Sequence, residues 1–286
     1  MKAAPVAVIG KTSKTGRRVN SHLAALGHPT RPLSRSSSIP FDWEVPDTWP
    51  AALEGARAAY VTFYPDLAVP HAQTSIAAFI EVARRAGVEH VVLLSGRGEP
   101  GAEKAEALLQ SSGLDWNVVR ASWFMQNFSE GFLVEGVLSG ELMLPVGHSP
   151  EPFIDVDDIA QVAVAALTRP ALRNRLFEVS GPRSMTFAQC AAEISAATGY
   201  SIELKSIPVE AFVAGLRQQG LPPSMVDLMR ELFTVVLDGR NATPANGVFE
   251  ALGRPATDFA TYVQRTAGSG AWQRGAMTFA RTASGL

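Results

Sequence analysis

Gly10 and Gly16 flank a run of small hydroxyl-bearing and basic residues, Lys11-Thr12-Ser13-Lys14-Thr15. An apolar stretch from Ala3 to Ile9 leads into them, and RRVNSHLAAL follows with helical spacing. A strand–turn–helix of this kind presents backbone N–H groups and a helix N-terminus to a pyrophosphate. Gly10 supplies the tight turn, and Gly16 lets the helix pack close to the strand. Thr12, Ser13 and Thr15 offer hydroxyl donors, and Lys11 or Lys14 offers charge. Ser13 stands where a middle glycine is expected; as the smallest polar replacement, it narrows such a cradle without closing it. Taken alone, the spacing suits a plain Gly-rich turn equally well.

A second feature lies about 20 residues further on, where NAD-selective folds place an acidic residue for the ribose 2′-OH. The chain there reads Arg31-Pro-Leu-Ser-Arg35-Ser-Ser-Ser, with no acid. An arginine among hydroxyls suits a 2′-phosphate and points to NADP(H); a solvated basic loop is the alternative. Ser95 and Arg97 close another apolar run, VVLLSGRG, and are the polar candidates for the reacting end of a cofactor. They would serve equally as a strand-ending turn. Trp123, Phe124, Phe128 and Phe132 bunch together with Asn127, so a flat aromatic substrate could stack there. The same rings could simply be core. Asp155, Asp157 and Asp158 read as helix caps rather than a catalytic cluster.

These residues need a scaffold. Apolar runs alternate with helical patterns through the first half of the chain: APVAVIG, HPTRPLSR, ARAAYVTFY, EHVVLLSG and LDWNVVRASW. The alternation predicts a parallel sheet with helices on both faces, and ligands at the strands' carboxyl ends. After Trp123 the texture becomes aromatic and loop-like, with a hairpin expected before Gly147. FIDVDDIAQVAVAAL and LRNRLFEVSGP read as a helix and strand returning to the sheet. The rest, from about Thr186, reads as mostly helical. The expected division is 1–122 plus about 151–182 for the sheet domain and 123–150 plus 183–267 for a capping part, with 268–286 a loose tail.

The bulk numbers fit an ordinary globular protein. The chain has 286 residues, 47% hydrophobic and 18% charged, and a net charge of -2, which gives no reason to expect nucleic acid. Five scattered histidines show no metal-ligand spacing. Cys190 is the one cysteine; in an Ala-rich helical pattern it reads as a buried thiol, and the scarcity suits a reducing cytoplasm. No signal-peptide core or membrane-length apolar run is present, so a cytoplasmic monomer or homodimer with a small-molecule substrate is expected.

Together, VIGKTSKTGRRV, RPLSR, LLSGRG, AEALLQSSGLDWNVVRASWFMQNF and FIDVDDIAQVAVAAL resemble the NmrA-like, atypical short-chain dehydrogenase/reductase family. The resemblance covers roughly residues 4 to 255 and is nearest the quinone reductase, triphenylmethane reductase and ergot-alkaloid iminium reductase branch. It implies a Rossmann-type, doubly wound parallel sheet with a smaller, mostly helical C-terminal substrate-capping part. It also implies NADP(H) held by Gly10, Thr12 to Gly16, Arg35, Thr62, Phe63 and Ser95. Phe63 and Tyr64 match the family's fourth-strand loop beside the nicotinamide ribose and substrate, and Ser95 matches the serine ending its fifth strand. Phe233 would close over a substrate with Tyr64, Trp123, Phe124, Asn127 and Phe128.

One departure stands out. The usual Tyr-x-x-x-Lys pair is replaced, with Ala102 at the tyrosine position and Glu106 at the lysine position. The implied activity is hydride reduction of a conjugated or aromatic electrophile that needs no strong acid, with Ser95 and Arg97 at the reacting end. A non-catalytic redox sensor and a non-redox lyase or isomerase are the alternatives.

Overall fold

The computed structural model describes residues 4–274. These residues form two compact units. The first comprises the chain up to Ala121 together with Val156–Val179 and Asn246–Pro255; the second comprises Ser122–Asp155, Ser180–Ala245 and the residues from Ala256 on.

In chain order the elements up to Ala121 are β1 (Val6–Ile9), α1 (Lys14–Ala25), β2 (Thr30–Leu33), α2 (Trp49–Leu53), β3 (Ala58–Val61), α3 (Ala72–Arg85), β4 (His90–Gly96), α4 (Pro100–Gln110) and β5 (Asp115–Ala121). Next come α5 (Asn127–Glu130), α6 (Val134–Ser139), β6 (Glu141–Leu144), α7 (Val156–Thr168) and β7 (Arg175–Val179). The remainder is α8 (Phe187–Thr198), β8 (Glu203–Ser206), α9 (Val209–Gln218), α10 (Pro223–Glu231), a π-helical turn at Leu232–Val236, α11 (Gly247–Leu252) and α12 (Phe259–Gly268).

The first unit carries a six-stranded parallel sheet in the order β2-β1-β3-β4-β5-β7. Its central strands are nearly all buried, as the continuous apolar runs require when helices cover both faces. Pro32 cannot donate to a ladder, and β2 accordingly lies at the sheet edge. The strand order reverses between β1 and β3, the crevice where such sheets bind nucleotides. Residues between β2 and β3 form loops and α2 but no strand. The runs ending in VTFY, LLSG and VVRA are therefore the third, fourth and fifth strands of this chain.

Two further expectations change. The segment before Gly147 is not a hairpin: α6 leads into β6, which pairs in parallel with β8, 62 positions on at Glu141↔Glu203. The expected loose tail is ordered where it is described. Trp272 is 2% exposed and donates its indole N–H to the Phe128 carbonyl at 2.8 Å. Residues 275–286 lie outside the described residues. α11 clusters with the first unit, packing on α7 and β7, although the sequence assigned it to the cap.

His90, at the start of β4, is buried. Asn117 Nδ2 donates to the Leu172 and Arg175 carbonyls at 2.7 and 2.9 Å, so its Oδ1 faces His90 Nε2 at 2.9 Å. The imidazole proton therefore sits on Nε2. Burial holds the pKa below its usual 6.5. The unfolded chain gains a proton below about pH 6.5 that the folded chain refuses, so stability is complete above that pH and falls below it. Unfolding free energy should decline between about pH 7 and about pH 5, with a shallower slope in His90→Asn. An unchanged slope would remove His90 as its source.

Candidate functional site

The Gly-rich loop is built as a turn into α1. Gly10 has φ +84°, and a Cβ there would stand 2.1 Å from Thr62 Oγ1. A Cβ on Gly16 would stand 2.1 Å from the Gly10 carbonyl oxygen, so α1 approaches the loop as closely as its glycine allows. Ser13 is the N-cap of α1, with its Oγ accepting from Gly16 N at 2.9 Å. Its side chain folds into the space between the two glycines, which is why a serine is accommodated at the crowded middle position. The first turn of α1 carries no acidic residue, leaving its positive end unneutralised. Thr15 is buried beneath the loop and Thr12 is exposed on it. The loop therefore has the shape and electrostatics to take a pyrophosphate.

The ends of β2 and β3 lie alongside. Arg35 is exposed, with its guanidinium carbon 6.0 Å from the centroid of the Tyr64 ring. Arg31 is committed elsewhere, donating to the Ala52 and Glu54 carbonyls at 2.9 and 2.6 Å. Thr62 Oγ1 donates back to the Ile9 carbonyl at 3.2 Å, tying β3 to β1. The Thr62 carbonyl in turn accepts from the Trp43 indole at 3.0 Å, and Phe63 packs 4.7 Å from that ring. Phe63 is thus largely enclosed at 8% exposure, while Tyr64 is exposed at 53%. Trp43, which the sequence reading passed over, is the support under Thr62 and Phe63.

At the carboxyl ends of β4, β5 and β7, Ser95, Arg120 and Glu178 are cross-strand neighbours. Ser95 Oγ donates to Glu106 Oε1 at 2.5 Å. Glu106, 2% exposed in its side chain, is gripped by both Arg120 Nε (3.0 Å) and Arg120 Nη2. Arg120 Nη1 also reaches Glu178 at 3.2 Å, and Arg97 Nε lies 3.6 Å from the same carboxylate. Ser95 is therefore not a hydroxyl aimed freely at a ligand, as the sequence suggested; its proton belongs to Glu106. Ala102, one turn earlier on α4, is fully buried and offers neither a donor nor room for one. The position usually given to lysine holds one half of a buried ion pair. Arg120, the other half, was hidden at the end of a strand run; a charge directly after the buried pair Val118-Val119 is the signal that could have revealed it.

In the second unit, Trp123, Phe128 and Phe233 belong to one hydrophobic core with Phe153, Phe187 and Phe259. Phe128 is 0% exposed, its ring between those of Phe153, Phe187 and Phe259, so it is core with no face left for a substrate. Trp123 and Phe233 meet edge to face at 5.1 Å. Phe233 lies in the π-helical turn and lines a small cleft with Phe187, Leu237, Ser149 and Pro145–Gly147. Phe124 and Asn127 are half-buried. The three aspartates are each paired with arginine: Asp155 with Arg265, Asp157 with Arg18 and Asp158 with Arg254, at 2.6, 2.9 and 2.6 Å. The pairs of Asp157 and Asp158 brace the start of α7. Cys190 is free and buried, which raises its thiol pKa. Among the described residues no metal-binding cluster occurs, and no helix is long and apolar enough to cross a membrane.

Sheet order, Gly-rich turn and basic β2 end define a Rossmann-type dinucleotide-binding protein. Residues 10–170 match the family model described as NAD(P)H-binding. The chain is 32% identical over 233 residues to NAD(P)H azoreductase of Xenophilus azovorans, covering 78% of this chain and 80% of the relative. It is 27% identical over 276 residues to agroclavine dehydrogenase of Claviceps fusiformis, covering 90% and 96%. Its fold matches triphenylmethane reductase of Citrobacter sp., solved with NADP(H), at a TM-score of 0.73 and 16% identity over 92% of this chain and 99% of that one. The chain belongs to the NAD(P)H-binding, NmrA-like atypical short-chain dehydrogenase/reductase family and is an oxidoreductase.

Proposed function

We propose that this protein is an NADPH-dependent reductase of a small aromatic or conjugated electrophile of azo, iminium, quinone or cationic-dye type. One observation carries the reading: the Ser95 hydroxyl is spent as a hydrogen-bond donor to Glu106, and Ala102 stands buried where a tyrosine would donate. A site without its own acid suits acceptors that take hydride readily and collect a proton from solvent. By their names, one relative is an azoreductase and another a dehydrogenase of agroclavine, and both are redox enzymes of small molecules.

When bound, the cofactor supplies the hydride. The chain's part is to bind and orient. Gly10, Thr12, Ser13, Lys14, Thr15 and Gly16 hold the pyrophosphate, with Arg35 on the 2′-phosphate and Thr62 and Phe63 along the ribose. Arg97, anchored near Glu178, positions the reacting end. Tyr64 is the candidate substrate contact of the first unit, and Phe124 and Asn127 are those of the second.

The test is a panel of azo dyes, iminium salts, quinones and triphenylmethane dyes, followed by NADPH absorbance. Turnover of at least one class is expected; tight NADPH binding with no turnover of any would overturn the proposal. Arg35→Ala should weaken NADPH by about 1–3 kcal/mol through the lost charge-assisted contact and leave NADH nearly unchanged. Equal losses for both cofactors would place Arg35 elsewhere.

A further inference from the structure

Residues 122–130 follow β5 and carry Phe124 and Asn127, the substrate contacts proposed for the second unit. Their backbone is tied to the segment before α7: Met125 N donates to the Ile154 carbonyl and Ile154 N to the Trp123 carbonyl, each at 2.8 Å. Three residues of this turn are then held from the far end of the chain. The buried Gln126 donates its Nε2 to Asp155 Oδ1 at 2.8 Å. Arg265 Nη2, on α12, donates to the other oxygen of that fully buried carboxylate at 2.6 Å. Tyr262 Oη, also on α12, donates to Ser129 Oγ at 2.7 Å. Beyond the helix, Trp272 Nε1 donates to the Phe128 carbonyl at 2.8 Å.

Residues 269–274 are shaped as a strap for this purpose. Gly270, with φ +80°, closes α12 in a left-handed turn, and its N–H caps the Ala267 carbonyl at 3.1 Å. The Trp272 ring then meets Tyr262 edge-on with centroids 6.0 Å apart, and the Arg274 guanidinium lies 4.3 Å from the centroid of the Tyr200 ring. Tyr262 and Trp272 are 1% and 2% exposed, so each spends its polar atom inside the unit. The residues between the gripped ones differ. Phe124 and Asn127 are half-buried, and among the described residues the Asn127 side-chain amide makes no hydrogen bond.

We infer that Tyr262 and Trp272 are positioning residues for the substrate. They fix the 122–130 turn so that the Phe124 ring and the Asn127 amide meet the acceptor in one geometry. The inference rests on the reading that these two side chains contact the acceptor. A flat acceptor stacks on the ring, and the amide offers N–H donors to its oxygen or nitrogen. Hydride transfer needs the acceptor aligned to within about an ångström, and a short turn keeps that alignment only when buried hydrogen bonds hold it.

The test measures acceptor kcat and KM, NADPH Kd and thermal midpoint for wild type, Tyr262→Phe, Trp272→Phe, Phe124→Ala, Asn127→Ala and Thr186→Ala. Menadione, malachite green, methyl red and 2-methyl-3,4-dihydroisoquinolinium serve as the acceptors. Thr186→Ala removes the capping box of α8 in the same unit and controls for lost stability alone. Tyr262→Phe and Trp272→Phe each delete one donor. Each should lower acceptor kcat/KM about five- to tenfold, the range of one buried hydrogen bond, and leave NADPH Kd within about twofold. A fall no larger than that of Thr186→Ala, or an equal weakening of NADPH, makes the grip merely structural and overturns the inference. If Phe124→Ala and Asn127→Ala leave kcat/KM unchanged while NADPH is consumed, the substrate-contact reading fails and the inference with it. If wild type consumes NADPH with none of the acceptors, the reductase reading itself falls.

Discussion

Arg120→Met is expected to lower the unfolding free energy by roughly 3–5 kcal/mol, the usual cost of stripping one partner from a buried pair. The substitution leaves the Glu106 carboxylate at 2% exposure with the Ser95 hydroxyl as its one remaining partner in that network. Met replaces the length of the side chain, so the loss measures charge rather than volume. Glu178 and Arg97 are part-exposed, so solvent screens their share of the network and the penalty centres on Glu106. The double variant Arg120→Met/Glu106→Leu should recover most of the loss, because neither charge is then stranded. Urea unfolding of both singles and the double closes the cycle. A cost below about 1 kcal/mol for Arg120→Met, or a double variant as unstable as the sum of the singles, would show that the pair is not coupled.

Gly16→Ala should be the most damaging small change in the loop. The added Cβ meets the Gly10 carbonyl oxygen at 2.1 Å, and backbone atoms on both sides must move. Overpacking of this kind costs about 1–3 kcal/mol, occasionally more. A loop that shifts by even an ångström also loses alignment toward its ligand, so NADPH affinity should fall about 100-fold or more. Ser13 provides the contrast. Ser13→Gly keeps a tolerated N-cap and should cost only a few tenths of a kcal/mol, while Ser13→Ala removes the bond to Gly16 N at about 1 kcal/mol. Thermal unfolding and cofactor titration of the three variants rank them. A Gly16→Ala protein that binds NADPH like wild type would mean that the loop is not the cradle.

The first unit was largely readable because its signals are local. Apolar runs stopped by Gly or Ser mark β1 and β4, and the acid-free stretch after β2 advertises its charge. The ion pair beneath Ser95 was not readable, since Glu106 on α4 and Arg120 on β5 meet only after the sheet and helix pack. Asking position 106 for a lysine also hid what a glutamate there would need. In the second unit, β6 and β8 are four residues each and pair across 62 positions, so neither carries a period long enough to read. The aromatic block looked like a binding surface because core rings and ligand-stacking rings share one composition; only enclosure separates Phe128 from Tyr64.

The Leu33 carbonyl that holds both Gly10 N and Lys11 N makes the turn after β1 and the turn after β2 a single mechanical piece. Redesigning this protein to run on NADH is therefore not a matter of grafting an acidic residue onto the 34–38 segment. The two turns share this anchor, so a change in the 34–38 segment is carried to the turn at Gly10 and Lys11. A successful switch has to redesign both turns in the same step.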